Sequence, residues 1–450
     1  MKPLFGTDGI RGEAGQFPLD DATVSAIGFS LARHLSKTTG APEIIIGRDT
    51  RESGDWIERA LMAGAMRAGA QCLSAGVITT PGVAFLTRKL DADAGVVISA
   101  SHNPYQDNGI KIFSPSGQKM DDSVEQVIEA DIFAGVDEQP SSLDSTEPSP
   151  KQEAGLQQDY LAFLSEQIGA GLDLRGLKIV IDCANGASSS LAPDLFTRLG
   201  ANVVAINAAP DGRNINLNCG SLHIDSLRER VLAEKADLGV AFDGDADRSL
   251  FVDEKGNFVD GDATLWVLAN HLRARGKLND ETVVATVMSN IGLEIAFRAA
   301  GIKMIRTDVG DKYVLDELLQ RKASLGGEQS GHIILPEVSL AGDGMITALT
   351  LVRALRESGK SLGEATAGFQ TYPQILVNVR VREKRPFGDL PAVQEAAGEV
   401  EKQLENKGRL LLRYSGTEPL ARIMIEGERQ DEINAFAQKI AAAIEREIGA

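Results

Sequence analysis

The chain has 450 residues, 43% hydrophobic and 24% charged, with 46 Lys+Arg against 64 Asp+Glu for a formal net charge of −18. At roughly 100–200 residues per domain, that length predicts three or four domains of a globular protein. The acidic balance argues against nucleic acid or an anionic membrane surface as partner, because both demand a basic face, and any anionic substrate must meet a local cluster of Arg and Lys.

Cys72, Cys183 and Cys219 are odd in number and far apart, with no CxxC. They form neither a disulfide framework nor a zinc site, and a reducing cytoplasm is the expected setting. The N-terminal "MKPLFGTDGIRG" lacks the apolar core of a signal peptide, and no run reaches the ~18 apolar residues of a membrane span. The five histidines show no metal-ligand spacing.

In chain order, "GTDGIRG" (6–12) sets Arg11 among glycines in a loop, as a phosphate contact or a simple turn. Three segments then read as one repeated unit. Each opens with an apolar, mostly β-branched run: "EIIIGRDTR" (43–51), "LKIVIDCANG" (177–186) and "ETVVATVMSN" (281–290). A helical stretch follows, then Gly and a second strand at 69–77, 200–208 and 301–309. A third strand runs into a small polar loop: "DAGVVISASHN", "DLGVAFDGDAD" and "SLGGEQSGH". This repetition predicts three related α/β domains with mixed, largely parallel sheets. Ligands bind beyond the carboxyl ends of such strands, so loops 99–103, 243–248 and 327–332 are equivalent and able to converge on one cleft.

Ser101 lies in "SASHNPYQDNGIKIF" (99–113). A hydrolase serine sits in a G-x-S-x-G elbow, which A-S-H-N-P is not. His102 is the next residue, and neighbouring side chains on an extended segment point apart. A helix N-cap is the other local reading. The Pro, Ser and acid-rich segment 134–155 predicts a surface loop or linker and a first boundary near residue 154. "DGDADR" offers Asp243, Asp245 and Asp247 within five residues. Three carboxylates so close repel by about 4 kcal/mol per pair at ~4 Å and a dielectric of ~20, so either some are protonated or a cation sits among them. Oxygen ligands favour Mg²⁺ or Ca²⁺; an acidic surface turn is the bland alternative. Arg248 stands where an EF-hand loop needs its sixth-position glycine, which excludes that motif. A second boundary falls near 256. "GGEQSGH" (326–332) places Glu328, Ser330 and His332 at alternate positions; on an extended segment all three would share a face and could grip sugar hydroxyls, or simply end a polar strand.

From Gln374 the pattern changes. Ile375, Val377, Val379 and Val381 alternate with polar residues, a helix is expected over 389–405, and Ile433, Phe436, Ala437, Ile440, Ala441 and Ile444 lie at helical spacing. This predicts a smaller α+β domain after a hinge near Pro373. Its "LLLRYSGTEPLAR" carries Arg413, Ser415, Gly416, Thr417 and Arg422, which suit either a phosphate cradle or a Ser-Gly turn between strands.

Taken together and in this order, "GTDGIRG", "SASHNPYQDNGIKIF", "DGDADR", "GGEQSGH" and "RYSGTEP" resemble the motif set of the α-D-phosphohexomutase superfamily over essentially the whole chain. "GGEQSGH", "PDGRNINLNCGS" (210–221) and "ATVMSNIGL" (285–293) are similar to its glucosamine branch rather than its phosphomannomutase/phosphoglucomutase branch. One departure is Ala341 in "SLAGDG", where the family pattern has Thr.

The resemblance implies four domains around a central cleft: three related α/β domains over 1–154, 155–256 and 257–370, and a C-terminal α+β domain over 371–450. It implies an isomerase that interconverts glucosamine 6-phosphate and glucosamine 1-phosphate through a phosphoserine at Ser101 and a bound 1,6-bisphosphate. Its product would feed UDP-N-acetylglucosamine and cell-wall synthesis. One Mg²⁺ is expected on Asp243, Asp245, Asp247 and the Ser101 phosphoryl group, and a sugar 1,6-bisphosphate as primer. Arg11 and Arg248 are expected to assist catalysis, with Lys111 or His102 as general acid/base and Lys111 the preferred one. Glu328, Ser330 and His332 would hold the sugar; Arg413, Ser415, Gly416, Thr417 and Arg422 would hold the non-reacting phosphate. The partner is then a small phosphorylated amino sugar, with neither nucleic acid nor membrane, and the protein a cytoplasmic monomer or homodimer. A mutase for mannose or glucose phosphates, a non-catalytic phosphosugar-binding protein and a phosphatase are the competing readings.

Overall fold

The computed structural model describes residues 3–6, 8–136, 153–415 and 418–450. Most of the proposed linker, residues 137–152, and both Gly416 and Thr417 lie outside the described residues. The chain forms two compact units, Met1–Val287 with Ile305–Thr366, and Met288–Met304 with Ala367–Ala450.

The repeat read from the sequence is a topological one. In the first sheet, Glu43–Arg48 runs parallel between Gln71–Val77 and Ala94–Ile98, and Asp107–Phe113 returns antiparallel beside Ala94–Ile98. In the second, Lys178–Asp182 lies parallel between Asn202–Ile206 and Leu238–Phe242, with Ser249–Asp253 antiparallel beside the latter. In the third, the order is Lys303–Thr307, Thr282–Thr286, Gly326–Gly327, Ile333–Ile334, the last pair antiparallel. The central strands are buried on both faces: Ile44, Ile45 and Ile46, like Ile179, Val180 and Ile181, have no exposed surface. That burial explains why they read as continuous apolar runs rather than as alternating ones.

Each chemistry-bearing loop joins the third strand of its sheet to the antiparallel return. Residues 99–106 do so in the first sheet, 243–248 in the second and 328–332 in the third. Helix caps fix neighbouring segments. Thr79 accepts from Gly82 N–H at the start of Thr80–Lys89, which carries Pro81 in its first turn. Asp343 accepts from Met345 and Ile346 N–H at the start of Gly344–Ser358.

Phe258–Val259 pairs with Ser249–Asp253, so a cut at 256 divides a hairpin of the second sheet. Residues 288–304, placed in the third domain by the sequence, group with the C-terminal unit. Glu426, fully buried, accepts from Ile291 N–H at 3.0 Å and pairs with Arg409 at 2.9 Å, and Asn290 exchanges hydrogen bonds with the Tyr372 backbone. That unit has a three-stranded antiparallel sheet, Gln374–Arg380, Leu420–Glu426 and Arg409–Tyr414, covered by helices Pro391–Leu404 and Gln430–Ile448. The alternation of Ile375, Val377, Val379 and Val381 and the helical stripe from Ile433 to Ile444 both face its core. Among the described residues, no helix is long and apolar enough to cross a membrane.

Candidate active site

The Ser101 loop is a tight turn. Ser101 is buried, with φ of +50°. Its Oγ donates to Asp243 Oδ2 at 2.6 Å and lies 3.3 Å from His102 Nδ1. The expectation that Ser101 and His102 point apart therefore fails: it assumed extended backbone, and the left-handed turn brings both side chains together. No helix follows, so Ser101 is not a cap; the next element is the strand Asp107–Phe113. A buried network supports the turn. Ser101 N–H donates to Ser99 Oγ, Ser99 donates to Asp49 Oδ2 at 2.6 Å, and Asp49 pairs with Arg51 at 2.9 Å.

Asp243, Asp245 and Asp247 present one oxygen each, all within 4.8 Å of one another, and all three residues are buried. Burial first, then Asp247 and Asp245, push the Asp243 carboxyl well above the usual carboxylate range. Burial acts the same way on Asp247, but Lys111, His332 and Arg248 outweigh it and hold that carboxyl well below its usual value. The alternatives of a protonated carboxylate and a bound cation thus meet in one loop. Asp245 Oδ1 and Asp247 Oδ1 are buried without a hydrogen-bond partner among the described residues. Three carboxylates and a serine oxygen make an all-oxygen donor set, so the residues fit Mg²⁺. The loop is anchored by Thr80, whose N–H and hydroxyl donate to Asp245 O at 3.0 Å and Oδ2 at 2.6 Å. Gly244 passes so close to the serine loop that a Cβ would lie 2.4 Å from Ser101 O.

Lys111, the acid/base group the sequence favoured, lies against the carboxylate loop. Its ammonium is buried, 2.7 Å from Asp245 Oδ2 and 3.7 Å from Asp247 Oδ2. Burial lowers its pKa, but Asp245, Asp247 and Asp8 raise it more, so Lys111 stays charged above the ordinary lysine range. His102 is half-buried. Burial and then Arg248 and Arg11 push its pKa down, and Arg248 Nη1 lies 3.4 Å from its Nδ1. The imidazole lies beside the serine oxygen, within reach of a proton exchanged there. Arg11 pairs with Asp8 at 3.0 Å, and the Nε atoms of Arg11 and Arg248 are buried without an acceptor among the described residues. Two such guanidinium donors beside Ser101 suit an anion.

The "GGEQSGH" segment is a hairpin turn, closed by Glu328 N–H to His332 O at 2.9 Å and Gly331 N–H to Glu328 O at 3.0 Å. The shared face expected of an extended strand therefore does not form. Ser330 Oγ donates to Glu328 Oε2 at 3.2 Å, and Gly310 N–H to Glu328 Oε1 at 3.0 Å. His332 instead turns inward, with Nδ1 3.6 Å from Asp247 Oδ2 and Nε2 3.9 Å from Asp311 Oδ2. Burial lowers its pKa, but Asp247, Asp311 and Glu328 raise it to about 9. A cavity of about 800 Å³ is lined by Thr80, Lys111, Asp247, Asp311 and His332, among others. Lys119 bridges Asp8 and Asp311 at 2.9 and 2.8 Å.

Sequence reading missed Asp49, Arg51, Thr80, Asn216 and Asp311. The signal for Asp49 and Arg51 was available: "GRDTR" ends the first strand of the first repeat, where ligand loops belong. Asn216 lay inside "PDGRNINLNCGS" with nothing to mark its partner.

In the C-terminal unit, Arg413 sits directly opposite Arg422 on adjacent strands. Like charges so placed repel. Arg422 Nη2 lies 3.4 Å from Ser415 Oγ and 3.3 Å from Glu418 Oε2, and its Nε is buried without an acceptor among the described residues. Lys384 Nζ donates to Ser415 O at 2.6 Å. An anion would relieve this gathering of cations.

Four family models match the chain in order: phosphoglucomutase/phosphomannomutase alpha/beta/alpha domain I over residues 2–139, domain II over 158–256, domain III over 260–372, and the C-terminal domain over 376–443. The phosphoglucosamine mutase of Solibacter usitatus (strain Ellin6076) is 54% identical over 452 aligned residues, covering 100% of this chain and 99% of that protein. A phosphoglucomutase/phosphomannomutase family protein from Burkholderia thailandensis has the same fold, with TM-score 0.79, 22% identity and 99% of each chain covered. So does Aspergillus fumigatus N-acetylphosphoglucosamine mutase, solved with GlcNAc-6P and magnesium, at TM-score 0.66 and 18% identity over 98% of this chain and 95% of that one.

Proposed function

This chain belongs to the phosphoglucomutase/phosphomannomutase family, among its phosphoglucosamine mutases, and from that membership we propose a phosphoryl relay centred on Ser101. The enzyme interconverts glucosamine 6-phosphate and glucosamine 1-phosphate. In the relay, O1 of glucosamine 6-phosphate attacks the phosphorus on Ser101. The P–Oγ bond breaks as P–O1 forms, and the O1 proton passes to His102. The 1,6-bisphosphate reorients, Ser101 Oγ takes the 6-phosphoryl group, and the proton returns to O6 as glucosamine 1-phosphate leaves. Phosphoryl transfer of this kind depends on positioning and on charge neutralisation.

Asp243, Asp245, Asp247 and an oxygen of phosphorylated Ser101 would hold Mg²⁺, which when bound supplies positive charge to the phosphoryl oxygens. Arg11 and Arg248 offer their unpartnered Nε donors to the same oxygens. Lys111 pairs with two of the carboxylates, Asp245 and Asp247. Glu328 and Ser330 bind sugar hydroxyls, while His332 braces Asp247. Arg413, Ser415 and Arg422, with Gly416 and Thr417, hold the phosphate that is not reacting. A sugar 1,6-bisphosphate loads Ser101 initially. The reading includes a cytoplasmic protein, monomer or homodimer, whose product feeds UDP-N-acetylglucosamine synthesis.

The observation that carries the reading is the 2.6 Å hydrogen bond from Ser101 Oγ to Asp243 inside a buried three-carboxylate loop. ³¹P NMR with Mg²⁺, a trace of glucose 1,6-bisphosphate and either glucosamine 6-phosphate or mannose 6-phosphate tests it. Glucosamine 1-phosphate should grow much faster than mannose 1-phosphate. Inorganic phosphate as the sole product would contradict the relay, and faster mannose turnover would contradict the substrate.

A further inference from the structure

The carbonyl of Ser101 is gripped from two sequence-distant segments. Arg51, with almost no exposed surface, donates from Nη2 to Ser101 O at 2.9 Å and to Asn103 O at 2.9 Å, and from Nη1 to Pro104 O. Asn216, from the loop before the 3₁₀ turn Gly220–Leu222, donates from Nδ2 to Ser101 O at 2.8 Å and Asn103 O at 3.1 Å. Ser101 itself sits at φ of +50°. For a non-glycine residue that conformation is strained and persists where its surroundings over-determine it.

The geometry of the next peptide bond gives this grip a chemical consequence. The Ser101–His102 bond is trans, so its N–H points opposite to the Ser101 carbonyl. Pinning that carbonyl against Arg51 and Asn216 aims the His102 N–H away from both. Among the described residues that N–H donates to no acceptor. The serine hydroxyl lies beside the same residue, 3.3 Å from its ring nitrogen. We propose that the backbone N–H of His102 donates a hydrogen bond to the phosphoryl group carried on Ser101, and that Arg51 and Asn216 are the positioning residues that aim it. This rests on the phosphoserine relay and adds a neutral, preorganised donor to its charged groups. Such a donor is in place before the reaction starts and needs no reorganisation.

Asn216 is the residue to change, because Arg51 is buried in the core of the turn. Asn216 has φ of +58°, which glycine adopts freely, so Asn216→Gly removes the amide while leaving the backbone unstrained. The full-length deuterated protein, labelled with ¹⁵N-histidine and incubated with glucose 1,6-bisphosphate, is observed by ³¹P and by amide NMR. Its five histidines give five amide signals, and His102→Gln identifies the one of interest. On phosphorylation the His102 amide proton should move downfield, apart from the other four. In Asn216→Gly that shift should shrink, with kcat down ~10-fold and KM and the Mg²⁺ titration held. A phosphoserine resonance with an unmoved His102 amide would overturn the proposal. An undiminished shift in Asn216→Gly would overturn the role of Asn216. No phosphoserine resonance in the wild type would overturn the relay itself, and this proposal with it.

Discussion

Gly244→Ala is a single-methyl test of how the metal loop and the serine loop fit together. A Cβ at this position would stand 2.4 Å from Ser101 O, 2.9 Å from Asn216 Nδ2 and 3.0 Å from Ile215 Cδ1. The first distance is about 1 Å inside the 3.4 Å at which ordinary contact begins. The obstacle is a backbone oxygen already held by Arg51 and Asn216, so it cannot swing aside as a flexible side chain would. Overpacking of this kind costs ~1–3 kcal/mol of stability. A displacement of ~1 Å in a reacting group lowers turnover ~10²-fold, equivalent to ~2.7 kcal/mol of barrier. The assay couples glucosamine 1-phosphate formation to a downstream enzyme, with thermal unfolding measured on the same preparation. The expected result is a folded protein with slightly lowered Tm and kcat down about two orders of magnitude. A Gly244→Ala protein with wild-type kcat would refute the close approach of the two loops.

Three further outcomes follow from named contacts. Lys111→Met leaves the fully buried Asp245 without its ammonium, a loss of ~3–5 kcal/mol for a broken buried pair. The drop in Tm should be largest in EDTA and smaller in saturating Mg²⁺, and equal drops would contradict the metal assignment. Asp343 is raised to about 6 by burial, chiefly, and by Asp247, against the hydrogen bonds from Tyr160, Ile346 and Met345. A carboxyl with a raised folded pKa stabilises fully below its unfolded value of ~3.9 and loses that contribution as pH rises through about 6. Calorimetry should therefore show wild-type Tm falling relative to Asp343→Asn between pH 4 and 6, and a constant difference would contradict it. Arg422→Ala should raise KM for glucosamine 6-phosphate with little change in kcat, and a pure kcat effect would assign Arg422 to the transition state instead.

The three-fold repeat was legible because each central strand is buried on both faces, which forces a continuous apolar run in the sequence. The loops after the third strands were legible for the same reason: once the strands are located, their carboxyl ends are too. Register was not legible where strands shrink to two residues. Gly326–Gly327 and Ile333–Ile334 flank a turn, and the alternation of Glu328, Ser330 and His332 suggested an extended run where the chain reverses. Burial of charge was also hidden. The partners of Lys111, Asp245 and Asp247, lie more than a hundred residues away along the chain. Residues 288–304 meet the C-terminal unit through Glu426 and the Asn290–Tyr372 hydrogen bonds, and no local pattern announces the burial of that carboxylate.

The most direct test of the relay is intact-protein mass spectrometry with peptide mapping. Wild type and Ser101→Ala are each taken before and after incubation with glucose 1,6-bisphosphate and Mg²⁺. The wild type should gain the mass of one phosphoryl group, mapped to Ser101, and lose it to added glucosamine 6-phosphate as bisphosphate forms. Ser101→Ala should remain folded, gain nothing and convert no sugar. Turnover of glucosamine 6-phosphate by Ser101→Ala at the wild-type rate would remove the serine from the mechanism.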